Sequence, residues 1–358
     1  MHLPRERGPL SAAVLAALAG TAPLDSGALV ETIHTLPDTT DVLVDDDIHL
    51  ALWTMYELHY RGFEGVVDDW EWDPDLLRVR IALEERLLEE YRFATSDWVH
   101  ASLETRGDVP SRLFALTELV PGAPLSAYVQ REASVEEFLE YLQHKSIYHL
   151  KESDPQSFVL PRVQGRVKVA LAELQYDEYG GGRPEQLHQA LFASGLDACG
   201  LSSDYGAYID LVPGATLAVT NVMNLFALRR SLAGAAMGHL GAFEATSSEP
   251  CRKVAGGCRR LGLPDAVASY FEEHIEADAV HEQLAFRDIC GGMVAQDPDV
   301  LTDVFFGAAA YLFSESLAGN AMLDAWRSGS SSLLPGAPCV PRQVDPTGSG
   351  RLTEAVAP

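Results

Sequence analysis

Through most of this chain, apolar residues return at every third or fourth position, and runs that alternate apolar with polar are scarce. That period marks helices with one buried face. Residues 45–63 open with Asp45, Asp46 and Asp47, which suit a helix start, and then space Leu50, Trp53, Met55 and Leu58 around a turn. Residues 73–95 repeat Leu and Ile between charges, and Ser134 with Glu137 forms a Ser-x-x-Glu capping box ahead of a helix over 134–153. Further helices are expected over 161–179, 184–195, 214–240, 249–262, 264–293 and 298–329. The expected class is all-α, a multi-helix bundle with an additional N-terminal helical region. The boundaries read as 1–130 for that region, ending in the loop "LVPGAPLSAYV", and 131–327 for the bundle. Residues 328–358, rich in Ser, Pro and Gly, read as a mobile tail.

Composition narrows the function. With 52 acidic against 26 basic residues the formal charge is −26, which argues against nucleic acid or an anionic membrane as the main partner. Five cysteines without a Cys-x-x-Cys pair read as reduced thiols, and hence as a cytoplasmic protein. The segment "RERGPLSAAVLAALAGTA" imitates an export signal, but Glu6 and Pro9 argue against one. The most apolar window, 209–228, contains Asp210, Pro213 and two Asn, which suits a buried helix better than lipid.

The chemistry concentrates in "HIEADAVH", where His274, Asp278 and His281 stand at i, i+4 and i+7 on one helical stripe. Such a stripe is either polar surface or half of a metal site, and a metal site needs donors from elsewhere. Glu178 and His188 are separated by Gly180, Gly181, Gly182 and Pro184. A straight helix would hold residues ten apart about 15 Å from one another along its axis, whereas a glycine turn can fold both toward one point. Glu244 lies among Leu240, Ala242, Phe243 and Ala245, where an unpaired charge is costly. Glu152 ends a helix just before Asp154 and Pro155. Four carboxylates and three imidazoles, with no thiolate, suit iron or manganese better than a structural zinc, and two divalent ions would balance them.

Taken together, Glu152, Asp177-Glu178 before the glycines, His188, Glu244 and His274-x3-Asp278-x2-His281 resemble the heme-oxygenase-like diiron oxidases and oxygenases, the iron-containing redox enzymes. In order and spacing they are most similar to the N-oxygenase domain of nitrosourea-forming enzymes. The resemblance implies two iron ions with Glu152, Glu178, His188, Glu244, His274, Asp278 and His281 as ligands. In the implied partition Glu178, His188 and His281 serve one ion, Glu152, His274 and Asp278 the other, and Glu244 bridges. It further implies O2 as co-substrate, an external reductase or reductant, and a homodimer formed through the N-terminal helices. The implied function is N-oxygenation of a small amine or amino-acid-derived substrate in a bacterial natural-product pathway, by way of a peroxo-diferric state. The alternative within the same resemblance is oxidative C–C cleavage or desaturation of an amino acid or fatty acid.

Plainer readings stand beside these. His2, His100, His144 and His149 read as solvated or hydrogen-bonded side chains. Asp45–Asp47 with Glu57 and His59 read as an N-cap and an exposed helix face. Tyr176, Tyr179, Tyr205 and Tyr208, near ligand-bearing segments, either line a pocket or pack in the core. No flavin, Rossmann or iron–sulfur pattern supplies electrons. Iron storage would call for paired Glu-x-x-His motifs, which the chain lacks.

Overall fold

The computed structural model describes residues 1–37 and 39–336, and of residues 276–280 the backbone alone. Most of the expected tail, with Cys339, therefore lies outside the described residues, among which no strand occurs. The helices are α1 (Pro9–Leu18), α2 (Ser26–His34), α3 (Asp46–Glu57), α4 (Pro74–Glu104), α5 (Val109–Leu119), α6 (Leu125–Arg131), α7 (Val135–His149), α8 (Asp154–Ser157), α9 (Gly165–Glu178), α10 (His188–Ala198), α11 (Gly214–Leu228), α12 (Ala233–Leu261), α13 (Asp265–Gln283), α14 (Gly291–Gln296) and α15 (Leu301–Arg327). A π-helix over Leu284–Cys290 joins α13 to α14. The fold is all-α.

Helix α12 is the axis of the bundle, packed along α13 and α15 and crossed by α6. Its contact with α15 is unusually close because each helix offers a glycine to the other's backbone. A Cβ at Gly238 would overlap the Val304 carbonyl oxygen, and one at Gly307 would overlap that of Ala235. This embedding fixes the helix that carries Glu244. On its other flank, the largest core cluster runs from Leu10, Val14 and Met55 through Leu83 and Tyr91 to Phe226, Met237 and Phe306, so N-terminal and C-terminal helices share one interior.

The acidic run Asp45–Asp47 caps three helices at once. Asp45 accepts from the Asp47 and Ile48 amides at the start of α3, Asp47 from Leu10 and Ser11 at the start of α1, and Asp46 from Gly214 at the start of α11. Each carboxylate meets amides with no partner in their own helix. The expected exposed face beyond them is corrected: Glu57 is fully buried and paired with Lys151. Amphipathic spacing hides this, because a buried acid shows its need for a cation only in three dimensions.

Two helix boundaries also differ from the pattern. The apolar stretch over 214–240 breaks at Arg229–Leu232. There Arg229 turns out to pair with Glu84 on α4, and Arg162 donates to the last carbonyls of α11, those of Ala227 and Leu228. Conversely, α12 continues through Pro250, where a new helix was expected. Pro250 cannot donate to the Thr246 carbonyl, and Thr246 and Ser247 bond back to the carbonyls of Ala242 and Phe243. Cys199, Cys258 and Cys290 form no disulfide. One helical run among the described residues, Pro298–Arg327, is long and apolar enough to cross a membrane, and 56% of its apolar window is buried inside the protein.

Candidate metal centre

Glycine geometry builds one side of the site. Gly180, Gly181 and Gly182 all adopt positive φ, and a Cβ at Gly180 would collide with the Gln186–Leu187 backbone. The chain therefore doubles back after α9, so that Glu178 at its end meets His188 at the start of α10. His188 Nδ1 lies 3.1 Å from Glu178 Oε2. From the other side α13 brings His274, whose ring lies 4.5 Å from that of His188, centroid to centroid. Glu152 sits just beyond α7, beside Ser153 in the left-handed region at φ 68°, and its Oε1 is 3.5 Å from His274 Nε2. Two helical turns onward, His281 Nδ1 is 3.4 Å from Glu244 Oε2 and 3.6 Å from Glu178 Oε1.

Six of the seven candidate residues thus converge, all of them buried. Donor atoms of Glu152, Glu178, His188 and His274 lie within 4.8 Å of one another, as do those of Glu178, Glu244 and His281. The side chain of Asp278 lies outside the described residues. The grouping differs from the implied partition in two respects. Glu178, not Glu244, belongs to both groups, and His188 sits with His274 rather than His281.

Sequence reading missed several neighbours. Tyr270, one turn before His274, donates to Glu152 Oε2 at 2.7 Å, and its carbonyl accepts from His274 Nδ1 at 2.8 Å. The second bond places a proton on His274 Nδ1 and turns Nε2 toward Glu152. His149, expected to be an ordinary side chain, packs part-buried against Tyr270 and Phe192, and its Nδ1 contacts the Tyr270 hydroxyl. Since that hydroxyl spends its proton on Glu152, the imidazole donates to it. Asp177 Oδ2 lies 3.4 Å from His281 Nε2, an outer carboxylate on an inward-facing imidazole. The α-helical i, i+4 spacing of Tyr270 and His274 was visible, but a tyrosine on such a stripe ordinarily signals core. The four tyrosines singled out earlier stay off the centre: Tyr176 is 59% exposed, Tyr205 donates to Glu57, Tyr208 accepts from the Ser202 amide, and Tyr179 contacts Ser157 and Asp154.

Titration in this cluster follows the acids. Burial pulls His281 down, but the adjacent Glu244 carboxylate and the charge of Glu178 outweigh it and push the ring up to about 9. Burial also opposes ionisation of Glu152, yet His149 and His274 hold it down at about 2. Glu244 is raised by burial, with Glu178 adding to the shift. His149 falls to about 3 through burial.

Two carboxylate oxygens test whether this set fits a cation. Glu152 Oε1 and Glu244 Oε2 are buried and accept no hydrogen bond from the described residues, the nearest of their imidazole nitrogens standing at 3.5 and 3.4 Å. Buried carboxylate oxygens are ordinarily satisfied. Oxygen and nitrogen donors converging at such distances match a hard or borderline metal ion.

Residues 139–315 match the family of iron-containing redox enzymes. The matched segment runs from within α7 to within α15 and contains every candidate ligand. It supports an iron-dependent oxidoreductase with the all-α, heme-oxygenase-like fold, and a buried His/Glu cluster compatible with iron lies inside it. Comparison with curated proteins gives no match.

Beside Glu152 and His274 opens a cavity of about 270 Å³, lined also by Phe243, Tyr270, Phe271, Tyr311 and Leu312 and by polar groups from α7, α12 and α15. That size is near the lower end of small-molecule sites.

Proposed function

We propose that this protein is a non-heme diiron oxygenase that activates O2 and oxidises the nitrogen of a small amine or amino-acid-derived substrate. The observation that carries the reading is the pair of buried donor groups joined by Glu178 and bordered by a mostly apolar cavity. Glu152, Glu178, His188 and His274 would hold one ion, and Glu178, Glu244 and His281 the other, with Asp278 contributing from the same helix. Bound iron would supply the O2 binding and electron transfer that amino-acid side chains lack.

The chain's own residues do the rest. Tyr270 fixes Glu152 through its hydroxyl and His274 through its carbonyl, so both donors are oriented before anything binds. Asp177 steadies His281 from outside. Phe243, Phe271 and Leu312 give the cavity apolar lining, which would exclude water from around a bound substrate nitrogen. The balance is R–NH2 + O2 + two electrons + two protons giving R–NHOH + H2O, with the electrons from an external reductant.

Anaerobic loading with ferrous iron should give two ions per chain by elemental analysis. Exposure to 18O2 with an amine panel and a chemical reductant should then place one labelled oxygen on nitrogen. Less than one iron per chain, or consumption of O2 indifferent to every amine, would defeat the reading. Slower turnover on deuterating the substrate carbon would transfer it to C–H or C–C oxidation.

A further inference from the structure

The cavity beside Glu152 and His274 contains a charge pair that the metal centre does not use. Lys145 on α7 and Glu315 on α15 pair at its wall, with Nζ 3.2 Å from Oε1 and 3.1 Å from Oε2. The ring of Tyr141 stands 6.0 Å from the same ammonium. Unlike the sealed pair of Lys151 and Glu57, whose side chains are 1% and 0% exposed, this one keeps 21% and 28% of its surface open. Both partners border free volume that continues to the metal-side residues.

From this geometry we infer that Lys145 and Glu315 are a clamp for an α-amino acid. The ligand carboxylate takes the Lys145 ammonium, and the ligand α-ammonium takes the Glu315 carboxylate. The inference rests on the proposed oxygenase reading and narrows its substrate class. A ligand with a single charge satisfies one partner and strands the other in a half-buried wall. An uncharged ligand leaves the pair closed on itself and gains nothing from it. A zwitterion exchanges one ion pair for two, with no change in net charge and each new contact charge-assisted.

The same cavity is lined by Glu152 and His274, so a ligand held at Lys145 and Glu315 occupies the free volume that borders the metal-side residues.

The test is calorimetry on anaerobic, ferrous-loaded protein with a panel of L-α-amino acids bearing alkyl, cationic and aromatic side chains. Each is compared with its α-carboxamide, which lacks the anion, and its α-deamino acid, which lacks the cation. At least one amino acid should bind about tenfold or more tightly than both analogues. Lys145→Met should abolish the penalty for the amide, and Glu315→Gln the penalty for the deamino acid. These opposite shifts cannot arise from general misfolding. Binding that ignores either α-group, or variants that keep the parental order, overturns the clamp. Iron content measured on the same samples separates the outcomes: two ions per chain without amino-acid discrimination removes the clamp and leaves the oxygenase reading standing.

Discussion

Two buried clusters of acids and bases lie on either side of the Leu150–Ser153 turn, and they solve burial in opposite ways. On one side Lys151 Nζ reaches Glu57 Oε2 at 3.1 Å, lies 4.3 Å from the Tyr60 ring, and shares Glu57 with the Tyr205 hydroxyl at 2.7 Å. That cluster carries its own cation. On the other side Glu152, Glu178 and Glu244 face three imidazoles at 3.1 to 3.6 Å, and two of their oxygens accept no hydrogen bond from the described residues. Residues 151 and 152 are neighbours in sequence, so composition and burial alone cannot separate a structural pair from a metal centre. What separates them is whether each acid is already answered by a permanent cation.

The sharpest way to break this comparison is to remove the shared acid. Glu178→Ala should lower ferrous affinity more than about 100-fold, since even outer-sphere partners contribute 10- to 100-fold. Retention of two ions per chain by elemental analysis would show that the overlap of the two groups is incidental. Next in size is the self-contained pair. Lys151→Met leaves Glu57 buried without its cation and should cost about 3–5 kcal/mol in urea unfolding, whereas Glu57→Leu with Lys151→Met should recover most of it. A single variant that loses less than about 1 kcal/mol would contradict a sealed pair.

A third contrast lies between imidazoles. His49, whose Nε2 donates to the Val42 carbonyl at 3.1 Å and whose Nδ1 accepts from Asn221, has no carboxylate partner in these bonds and is driven down to about 4 by burial. The unfolded chain therefore binds the extra proton first. Stability is full above about pH 6.5 and falls as pH drops toward 4, by up to about 3 kcal/mol from this group. His281, pushed up to about 9, titrates in the other direction from neutrality. NMR titration of the two rings on iron-free protein would check the order, and His49 charging near pH 6.5 would refute it. The smallest effect is expected for Tyr270→Phe, which removes one bond to Glu152 and should weaken iron binding about tenfold with the fold intact. An unchanged affinity would reduce Tyr270 to packing.

Much of the fold was legible because helices announce themselves locally. The Ser134–Glu137 capping box is present as read, with Glu137 Oε2 accepting from the Ser134 amide at 2.7 Å. The glycines after Glu178 turn the chain as their φ freedom allowed. Of the centre, Glu244 was legible through its apolar flanks, and His274 and His281 through their period. The rest depended on distant partners. Arg162 decides where α11 ends from 65 residues away, Lys151 buries Glu57 from 94, and Tyr270 meets Glu152 from 118. No local period encodes such pairings. Pro250 misled for the opposite reason, since a long helix packed on both flanks tolerates the single bond that proline withholds.

The π-helix over Leu284–Cys290 bears on how the centre keeps its register. A wide turn accommodates one residue more than ordinary winding would, and about 100° of rotation separates the two geometries. Phe286 and Cys290 sit against Gly241 on α12, while His281, just upstream, faces Glu244 on the same helix. Excising a single residue from this turn would leave the downstream half anchored and swing the histidines away from the acids, so the spare residue acts as a phase setting between scaffold and chemistry.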